Sequence, residues 1–186
     1  MTTVILGGAN TVFTDIEAYI ARAGMPQHVI AINHVGMHYG APIDIWATLH
    51  PEYMDGWIKA RDIKSFPRAR ALASHRELNS HERRVIPYPP GQVIVHHDLG
   101  GSSGLLSVII AMQQWKDDIV LCGIPLEDDK AHFFSDRPWS FAENYRAAWW
   151  KHRNVIKDRV RSMSGWTREK FGHPFESGKE EKCLRQ

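Results

Sequence analysis

The sequence predicts an α/β, Rossmann-like fold: a mostly parallel sheet with helices on both faces and a long C-terminal helix. Three observations support this prediction. Short apolar runs, such as residues 93–95 and 119–122, are typical of strands buried on both faces. Stretches with apolar residues at helical spacing lie between these runs, so strands and helices alternate. Glycine-rich or polar turns follow the strands, which is typical of the ligand-binding edge of a parallel sheet.

The elements can be placed along the chain from local signals. Strands are predicted at residues 3–6, 29–32, 43–49, 69–74, 93–95 and 119–122, and helices at 14–24, 51–62, 105–115 and 141–163. Thr14 and Glu17 form a capping-box pattern that starts the first helix, and Gly24 suits its end. Pro51 suits the first turn of the second helix. Residues 75–90 are expected to be a surface excursion.

Length and composition indicate one α/β domain at residues 1–171 and a flexible tail at 172–186. The net charge of +2 gives no argument for a polyanion partner. There is no signal-peptide pattern and no apolar run near the roughly 20 residues that span a bilayer. Cys122 and Cys183 are unlikely partners, so we expect a reducing, cytoplasmic setting. Seven tryptophans leave room for a homo-oligomeric interface.

The most informative stretch is the glycine-serine turn between the strand at 93–95 and the helix that follows. Ser102, Ser103 and Gly104 stand where that helix begins. In a β-α-β unit the first free amides of the helix and its dipole make an anion site there. The turn therefore predicts a phosphate-bearing ligand.

Other residues that follow predicted strands are expected to converge on the same crevice. They are Gly8, Asn10, Asn33, His50 and Gly123. The carboxyl ends of parallel strands share one edge of the sheet, where ligands bind. Gly7-Gly8-Ala9-Asn10 is not the dinucleotide fingerprint, and a Walker A motif is missing, so an NAD-dependent oxidoreductase and a P-loop NTPase are disfavoured. His96 and His97 point to opposite faces of a strand, which disfavours a metal site.

His132 and His50 are the candidate general bases. Imidazole is the natural base for a hydroxyl nucleophile near neutral pH. His50 follows a predicted strand, and His132 lies in an aromatic loop that could act as a lid. Loop packing or a hydrogen bond to the backbone is the equally weighted alternative for each. A basic cluster between Arg159 and Lys170 permits DNA binding, but it resembles no recognition motif.

The motifs at the strand ends resemble those of bacterial sialyltransferases that use CMP-sialic acid, and of the related 6-hydroxymethylpterin diphosphokinase-like proteins. The turn after the first strand, Gly8-Ala9-Asn10-Thr11-Val12, matches their G-N-G-P-S turn, and Asn33 matches the Asn that ends their second strand. His50-Pro51 matches the Asn-Pro that ends their third strand, and Ser102-Ser103-Gly104 matches a T-S-G turn that opens a helix. Cys122-Gly123-Ile124-Pro125 matches the S-G-I-D that ends the strand after that helix. They cover residues 3–126. The first-turn asparagine is displaced by one position, and Pro125 replaces the acidic residue. The segment at 162–166 resembles small phage-encoded proteins.

The resemblance implies a nucleotide in the crevice, with Asn10, Asn33 and Ser103 near its phosphate and ribose. The segment after Gly123 would lie near the base, under a lid. The diphosphokinase-like proteins carry acidic metal-binding motifs that this sequence does not show.

The sequence as a whole predicts a small nucleotide- or nucleotide-sugar-dependent transferase of glycosyltransferase type. His132 or His50 would be the base, and the acceptor is unknown. No cofactor or metal is firmly implied beyond the donor nucleotide. One alternative is a non-catalytic nucleotide sensor or sponge. The other is a Mg²⁺-dependent diphosphokinase, in which Asp98, Glu127, Asp128 and Asp129 would hold the metal.

Overall fold

The computed structural model describes residues 1–86, 91–95, 99–128, 131–138 and 142–176. The strands are β1 (Thr2–Leu6), β2 (His28–Ile32), β3 (Ile45–Thr48), β4 (Ala71–Ser74), β5 (Gly91–Ile94), β6 (Asp118–Cys122), β7 (Ala131–His132), β8 (Ser135–Pro138) and β9 (Val160–Ser162). The helices are α1 (Val12–Ala23), α2 (Val35–His38), α3 (Met54–Ile63), α4 (Ser80–Val85), α5 (Ser103–Gln114), α6 (Ala142–Ile156) and α7 (Gly165–Phe171), and a 3₁₀ turn at Pro51–Tyr53 precedes α3.

Seven strands form one parallel sheet in the order β5-β4-β3-β2-β1-β6-β9. The chain moves outward from β1 to β5, then returns through α5 to place β6 on the other side of β1. The strand order therefore reverses between β1 and β6. Such a switch point opens a crevice at the carboxyl ends of the strands.

Both faces of the sheet are covered, which confirms the predicted Rossmann-like α/β fold. Along β1 the side chains alternate: Ile5 packs on the face covered by α5, while Val4 and Leu6 pack on the face covered by α1. All three side chains are fully buried. Burial on both faces explains why the strands appear as continuous apolar runs in the sequence.

The start of α1 differs from the prediction. The helix begins at Val12, two residues before the predicted capping box at Thr14. The Asp15 carboxylate is buried and accepts hydrogen bonds from the Gly123 amide at 2.8 Å and the Ser164 hydroxyl at 2.8 Å. The acidic residue in the first turn thus joins α1 to the turn after β6 and to the segment after β9.

The predicted surface excursion at 75–90 contains a helix, α4. Asn79 caps it by accepting hydrogen bonds from the amides of His81 and Glu82, and Glu82 bonds back to the Asn79 amide. Arg76 pairs with the same Glu82 at 2.7 Å. The capping box was present in the sequence, but proline and polar residues around it masked the signal. Residues 87–90 lie outside the described ranges.

The predicted long C-terminal helix is α6, which ends at Ile156 instead of continuing to residue 163. Val160 is fully buried and lies beside Ile119, so the following residues join the sheet as β9. The Arg159 side chain donates hydrogen bonds to the carbonyls of Trp115 and Asp117, which fixes the turn that separates α6 from β9. Burial of Val160 at the sheet edge therefore makes this segment a strand, although its apolar residues have helical spacing.

The predicted flexible tail at 172–186 stays a prediction. Within its described part, Phe175 stacks on Tyr19 of α1 with ring centroids 5.7 Å apart. The Arg22 guanidinium lies over the Phe175 ring, 4.7 Å from its centroid. Residues 177–186, including Cys183, lie outside the described ranges.

Candidate functional site

A cavity of about 220 Å³ lies at the carboxyl ends of the central strands. Its described lining comes from the turns after β1, β2, β3 and β6, the start of α5, the β7–β8 hairpin and the first turn of α6. The lining residues are Gly7, Gly8, Ala9, Ile32, Asn33, His50, Gly101, Ser102, Ser103, Gly104, Gly123, Ile124, Pro125, Leu126, Glu127, Ala131, His132 and Tyr145. Segments far apart in sequence thus form one crevice at the switch point.

One end of the cavity is the N-terminus of α5. Ser102 is buried and caps the helix: its hydroxyl oxygen accepts from the Leu105 amide at 3.2 Å and from the Trp149 indole N–H at 3.0 Å. Its carbonyl accepts from the Leu106 amide. The first amides of a helix have no partner within it. The Ser102 hydroxyl takes up that of Leu105, and Ser103 and Gly104, the first two residues of the helix, line the cavity.

Asn33 follows β2 and is held in a left-handed conformation, with φ of 49°. Its side-chain oxygen accepts from the Thr48 hydroxyl at 2.7 Å, and its carbonyl accepts from the Trp46 indole at 2.7 Å. The first bond fixes the orientation of the amide, because the oxygen faces Thr48 and the NH₂ group faces away from it. Asn33, held in this orientation, lines the cavity.

Gly123 forms the wall beneath the switch point. Its φ of 68° lies in the left-handed region, and a Cβ there would come within 2.5 Å of Val12 Cβ. Only glycine fits both constraints. Asp15 binds the Gly123 amide, and Thr11 donates a hydrogen bond to the same carboxylate at 3.2 Å. This arrangement keeps the turn after β6 close to α1.

The hairpin end of the cavity is formed by the β7–β8 hairpin, which carries His132. The hairpin joins the turn after β1 through hydrogen bonds from Asn10 to Ala131 and from Phe133 to Gly8. A Cβ on Gly8 would lie 2.4 Å from His132 Nε2, so the missing side chain makes room for the imidazole ring.

The surroundings of His132 lower its basicity. Burial and the neighbouring rings of His34 and His38 lower the pKa of His132 to about 4. Burial is also the main cause that lowers the pKa of His34. The His132 ring packs against Phe134, with centroids 3.9 Å apart. His132 is therefore neutral at physiological pH.

His50 stands on the rim of the cavity and differs from His132 in its exposure. Its side chain is 56% exposed and its Nδ1 lies 3.3 Å from Glu52 Oε1. Its backbone amide donates to the Thr48 hydroxyl, which places the residue directly after β3. A carboxylate beside an exposed imidazole is an arrangement that supports proton transfer.

The structure brings together most of the residues predicted for the site. The lining residues among them are Gly8, Asn33, His50, Ser102, Ser103, Gly104, Gly123 and His132. Asn10 is different: it is exposed, lies outside the described lining, and uses its backbone amide to bond Ala131.

Nothing in the sequence indicated Tyr145 as a lining residue, and Glu127, which also lines the cavity, was expected only as a metal ligand of the diphosphokinase alternative. Tyr145 lies in the first turn of α6, and a Cβ on Gly101 would be 3.7 Å from its ring. The amphipathic pattern indicated the helix, but nothing local indicated that its first turn closes the cavity. That contact depends on the tertiary arrangement.

Across the described ranges, the His, Cys, Asp and Glu side chains form no group of three that could hold a metal ion. Asp98 and Asp129, two of the acidic residues considered for Mg²⁺, lie outside those ranges, as do His96 and His97. The expectation of no metal therefore stays a prediction.

Comparison with known proteins gives structural neighbours only. No protein-family model and no curated protein matches the chain. The sialyltransferase CST-II in complex with a trisaccharide acceptor and CMP matches with a TM-score of 0.62 and 10% identity, over 93% of this chain and 86% of that one. The monofunctional α-2,3-sialyltransferase Cst-I from Campylobacter jejuni matches with a TM-score of 0.59 and 12% identity, over 93% and 79%. At such identities the likeness shows a shared fold: the chain has the α/β architecture of these glycosyltransferases.

Proposed function

We propose that the protein is a nucleotide-sugar-dependent transferase of glycosyltransferase type, with the donor bound at the carboxyl ends of the strands. One observation carries the proposal. A helix N-terminus and a half-buried neutral histidine line the same cavity, at the switch point of the sheet. The fold shared with CMP-bound sialyltransferases supports a nucleotide donor.

The donor phosphate binds at the start of α5. The amides of Ser103 and Gly104 and the helix dipole favour an anion there. As the bond to the sugar breaks, negative charge develops on the leaving phosphate, and these fixed dipoles stabilise it. The ionisable side chains in the described lining are His50, Glu127, His132 and Tyr145, so backbone and hydroxyl donors carry the phosphate contact.

The acceptor hydroxyl must lose a proton as it attacks the sugar. His132 and His50 are the candidate bases, on the wall away from the α5 cap. His132 is unprotonated above about pH 4, and its ring position is fixed by Gly8 and Phe134. His50 has the Glu52 carboxylate 3.3 Å from its Nδ1. We assign the base role to His132 and keep His50 as the alternative.

A second function is favoured by one observation. An imidazole with a pKa of about 4 is a weak base, which suits a non-catalytic nucleotide sensor or sponge. Product formation separates the two functions, because a binder returns its ligand unchanged. A diphosphokinase gains no support from the structural neighbours.

We further propose a cytoplasmic location, and a phage genome as the source. Cys122 is a free thiol buried in β6, as expected of a protein from a reducing compartment. In the part of the chain that the structure describes, no helix has the length and apolarity needed to cross a bilayer. The phage proposal rests on the segment at 162–166 alone.

The test is to incubate the protein with CMP-, UDP- and GDP-sugars and to measure nucleotide release and transfer products. We expect release from one donor class, a loss of at least a hundredfold in kcat for His132→Ala, and nucleotide binding within a few-fold of wild type. His81→Ala on α4 is the matched control, because that histidine lies away from the cavity. Donor binding without any product would favour the sensor. Unchanged turnover in His132→Ala with loss in His50→Ala would move the base role to His50.

A further inference from the structure

A second cavity, of about 230 Å³, lies at the opposite end of the sheet from the first. Its described lining comes from the amino-terminal parts of β1, β6 and β9, from α1 and from the start of the C-terminal tail. Thr2 lines it, whereas Gly7, just beyond Leu6 at the end of β1, lines the first cavity. The four residue steps of β1 span roughly 13 Å. This arginine cavity, named after Arg159 and Arg161 in its lining, is therefore a separate site.

Arg161 keeps one edge of its guanidinium unpaired. Its Nη1 donates hydrogen bonds to the carbonyls of Lys157 and Val160, at 3.0 and 2.7 Å. A guanidinium has five N–H donors, and none of the described residues accepts a hydrogen bond from Nε or Nη2 of Arg161. The N–H bonds of these two nitrogens run side by side, in the geometry that binds two oxygens of a carboxylate or a phosphate. The bonds at Nη1 hold the side chain in place for such a contact.

The charges around the arginine cavity favour an anion. Arg159 donates from Nε and Nη2 to the carbonyls of Trp115 and Asp117, so its Nη1 has no acceptor among the described residues. No described carboxylate forms an ion pair with either arginine of the lining. Asp118 is the acidic residue of the described lining, and water screens its charge because it is exposed. The described lining of the first cavity contains no arginine or lysine, so the two cavities differ in charge.

Two aromatic rings also line the arginine cavity. The rings of Tyr19 and Phe175 stack, with centroids 5.7 Å apart and planes 22° apart. Tyr19 is 4% exposed, and none of the described residues shares a hydrogen bond with its hydroxyl. The lining therefore combines unpaired donors with apolar surface. A ligand that uses both has a charged group and an apolar part.

We infer that the arginine cavity binds a small organic anion, whose carboxylate or phosphate group contacts the Nε and Nη2 edge of Arg161. Arg159 adds a second positive charge, and the apolar part of the ligand packs against Tyr19 and Phe175. The inference goes beyond the proposed transferase function, because the site shares no lining residue with the cavity at the carboxyl ends of the strands.

The inference is tested by calorimetric titration with phenyl phosphate, benzoate and inorganic phosphate at constant ionic strength. We expect phenyl phosphate or benzoate to bind, and whichever binds more tightly identifies the charged group of the ligand. Arg161→Gln removes the paired donors and should weaken this binding roughly tenfold or more. Arg161→Lys keeps the charge without the paired donors and should recover only part of the affinity. Inorganic phosphate should bind roughly fivefold or more weakly than phenyl phosphate, because it has no apolar part.

Three controls make the result specific. Every titration is repeated in the Ser103→Asp protein, where the added carboxylate repels anions from the start of α5. Arg83→Gln removes an exposed arginine on α4 that lies outside the described lining, and it should leave binding unchanged. Thermal melts of all variants detect loss of folding. If Arg161→Gln does not fold, Arg161→Lys and Tyr19→Phe, which removes only a hydroxyl, provide the comparison.

Absence of binding of both organic probes to the wild-type protein would overturn the inference, as would affinities that the Arg161 variants leave unchanged. Equal binding of inorganic phosphate and phenyl phosphate would overturn the assignment of an organic ligand. Binding that is lost in Ser103→Asp and kept in Arg161→Gln would overturn the inference and leave the nucleotide site at α5 standing. Binding that depends on Arg161, in a protein that binds no nucleotide, would do the reverse.

Discussion

The two ends of the cavity are built in different ways. At the α5 end, a single turn supplies backbone amides, and Ser102 fixes them through bonds to Leu105 and Trp149. At the hairpin end, His132 is placed by tertiary packing against Gly8 and Phe134. The first end suits the binding of an anion, and the second suits the chemistry of a neutral base. On the proposed function, this difference predicts that binding and turnover can be disrupted separately.

The largest expected effect is a loss of turnover without a loss of nucleotide binding, and it is expected at the hairpin end. Gly8→Ala places a Cβ 2.4 Å from His132 Nε2, so the imidazole must leave its position. We expect kcat to fall on the order of a hundredfold, as for loss of the base, while nucleotide affinity stays within a few-fold. Gly56→Ala on α3 is the control, since a Cβ there meets no atom within 4 Å. Full activity in Gly8→Ala would remove His132 from the mechanism.

The next effect concerns the stability of the α5 end. Ser102→Ala removes the helix cap and leaves the Trp149 indole N–H buried without its acceptor. We expect the free energy of unfolding to fall by about 2 to 3 kcal/mol. Urea unfolding measures this change, and Ser102→Thr, which keeps the hydroxyl, should recover part of it. An unchanged midpoint in Ser102→Ala would show that the cap contributes nothing.

The free energy of unfolding is expected to depend on pH through His132, at the hairpin end of the cavity. The pKa of His132 is lowered from 6.5 to about 4 in the folded state, so the unfolded chain binds more protons between these values. The stabilisation from the neutral ring is complete above about pH 6.5 and is lost as pH falls towards 4. We expect on the order of 2 kcal/mol, because solvent at the half-buried ring weakens the effect.

Urea unfolding of wild type and His132→Gln between pH 4 and 7 checks the sign. The difference in stability between the two proteins should grow in favour of wild type as pH rises. A constant difference in stability across this range would contradict the claim that partial burial keeps His132 neutral.

The smallest expected effect is a rise in stability together with a fall in nucleotide affinity. Ser103→Asp puts a carboxylate in the first turn of α5, where the helix dipole stabilises it by about 0.3 to 1 kcal/mol. The same charge repels a phosphate, so nucleotide affinity should fall roughly tenfold while the melting temperature rises. Ser103→Asn tests the added size without the charge. A Ser103→Asp protein that binds nucleotide as wild type does would place the phosphate elsewhere.

The contrast between the two ends also explains what the sequence could predict. The sheet, its helices and the α5 turn follow from local signals: β-branched runs, helical spacing, and Ser102-Ser103-Gly104 at a helix start. The strand-end rule then brought Asn33, His50 and Gly123 to the same crevice. These predictions depend on topology and not on the detail of side-chain packing.

The parts that could not be predicted depend on contacts between distant segments. Nothing near Asp15 in the sequence indicates that it binds Gly123 and Ser164. Val160 has the spacing of a helix residue, yet pairing with β6 makes it a strand. The closeness of Gly8 to His132 likewise arises only in the folded chain.

The measurement that tests the central claim most directly is calorimetric titration of the wild-type protein with CMP, UDP and GDP, repeated with Ser103→Asp. We predict that one nucleotide binds at a single site and that Ser103→Asp weakens it roughly tenfold without loss of folding. Such a result would place the phosphate at the start of α5. Failure of all three nucleotides to bind the wild-type protein would contradict the account, because the cavity would then have no nucleotide ligand of these classes.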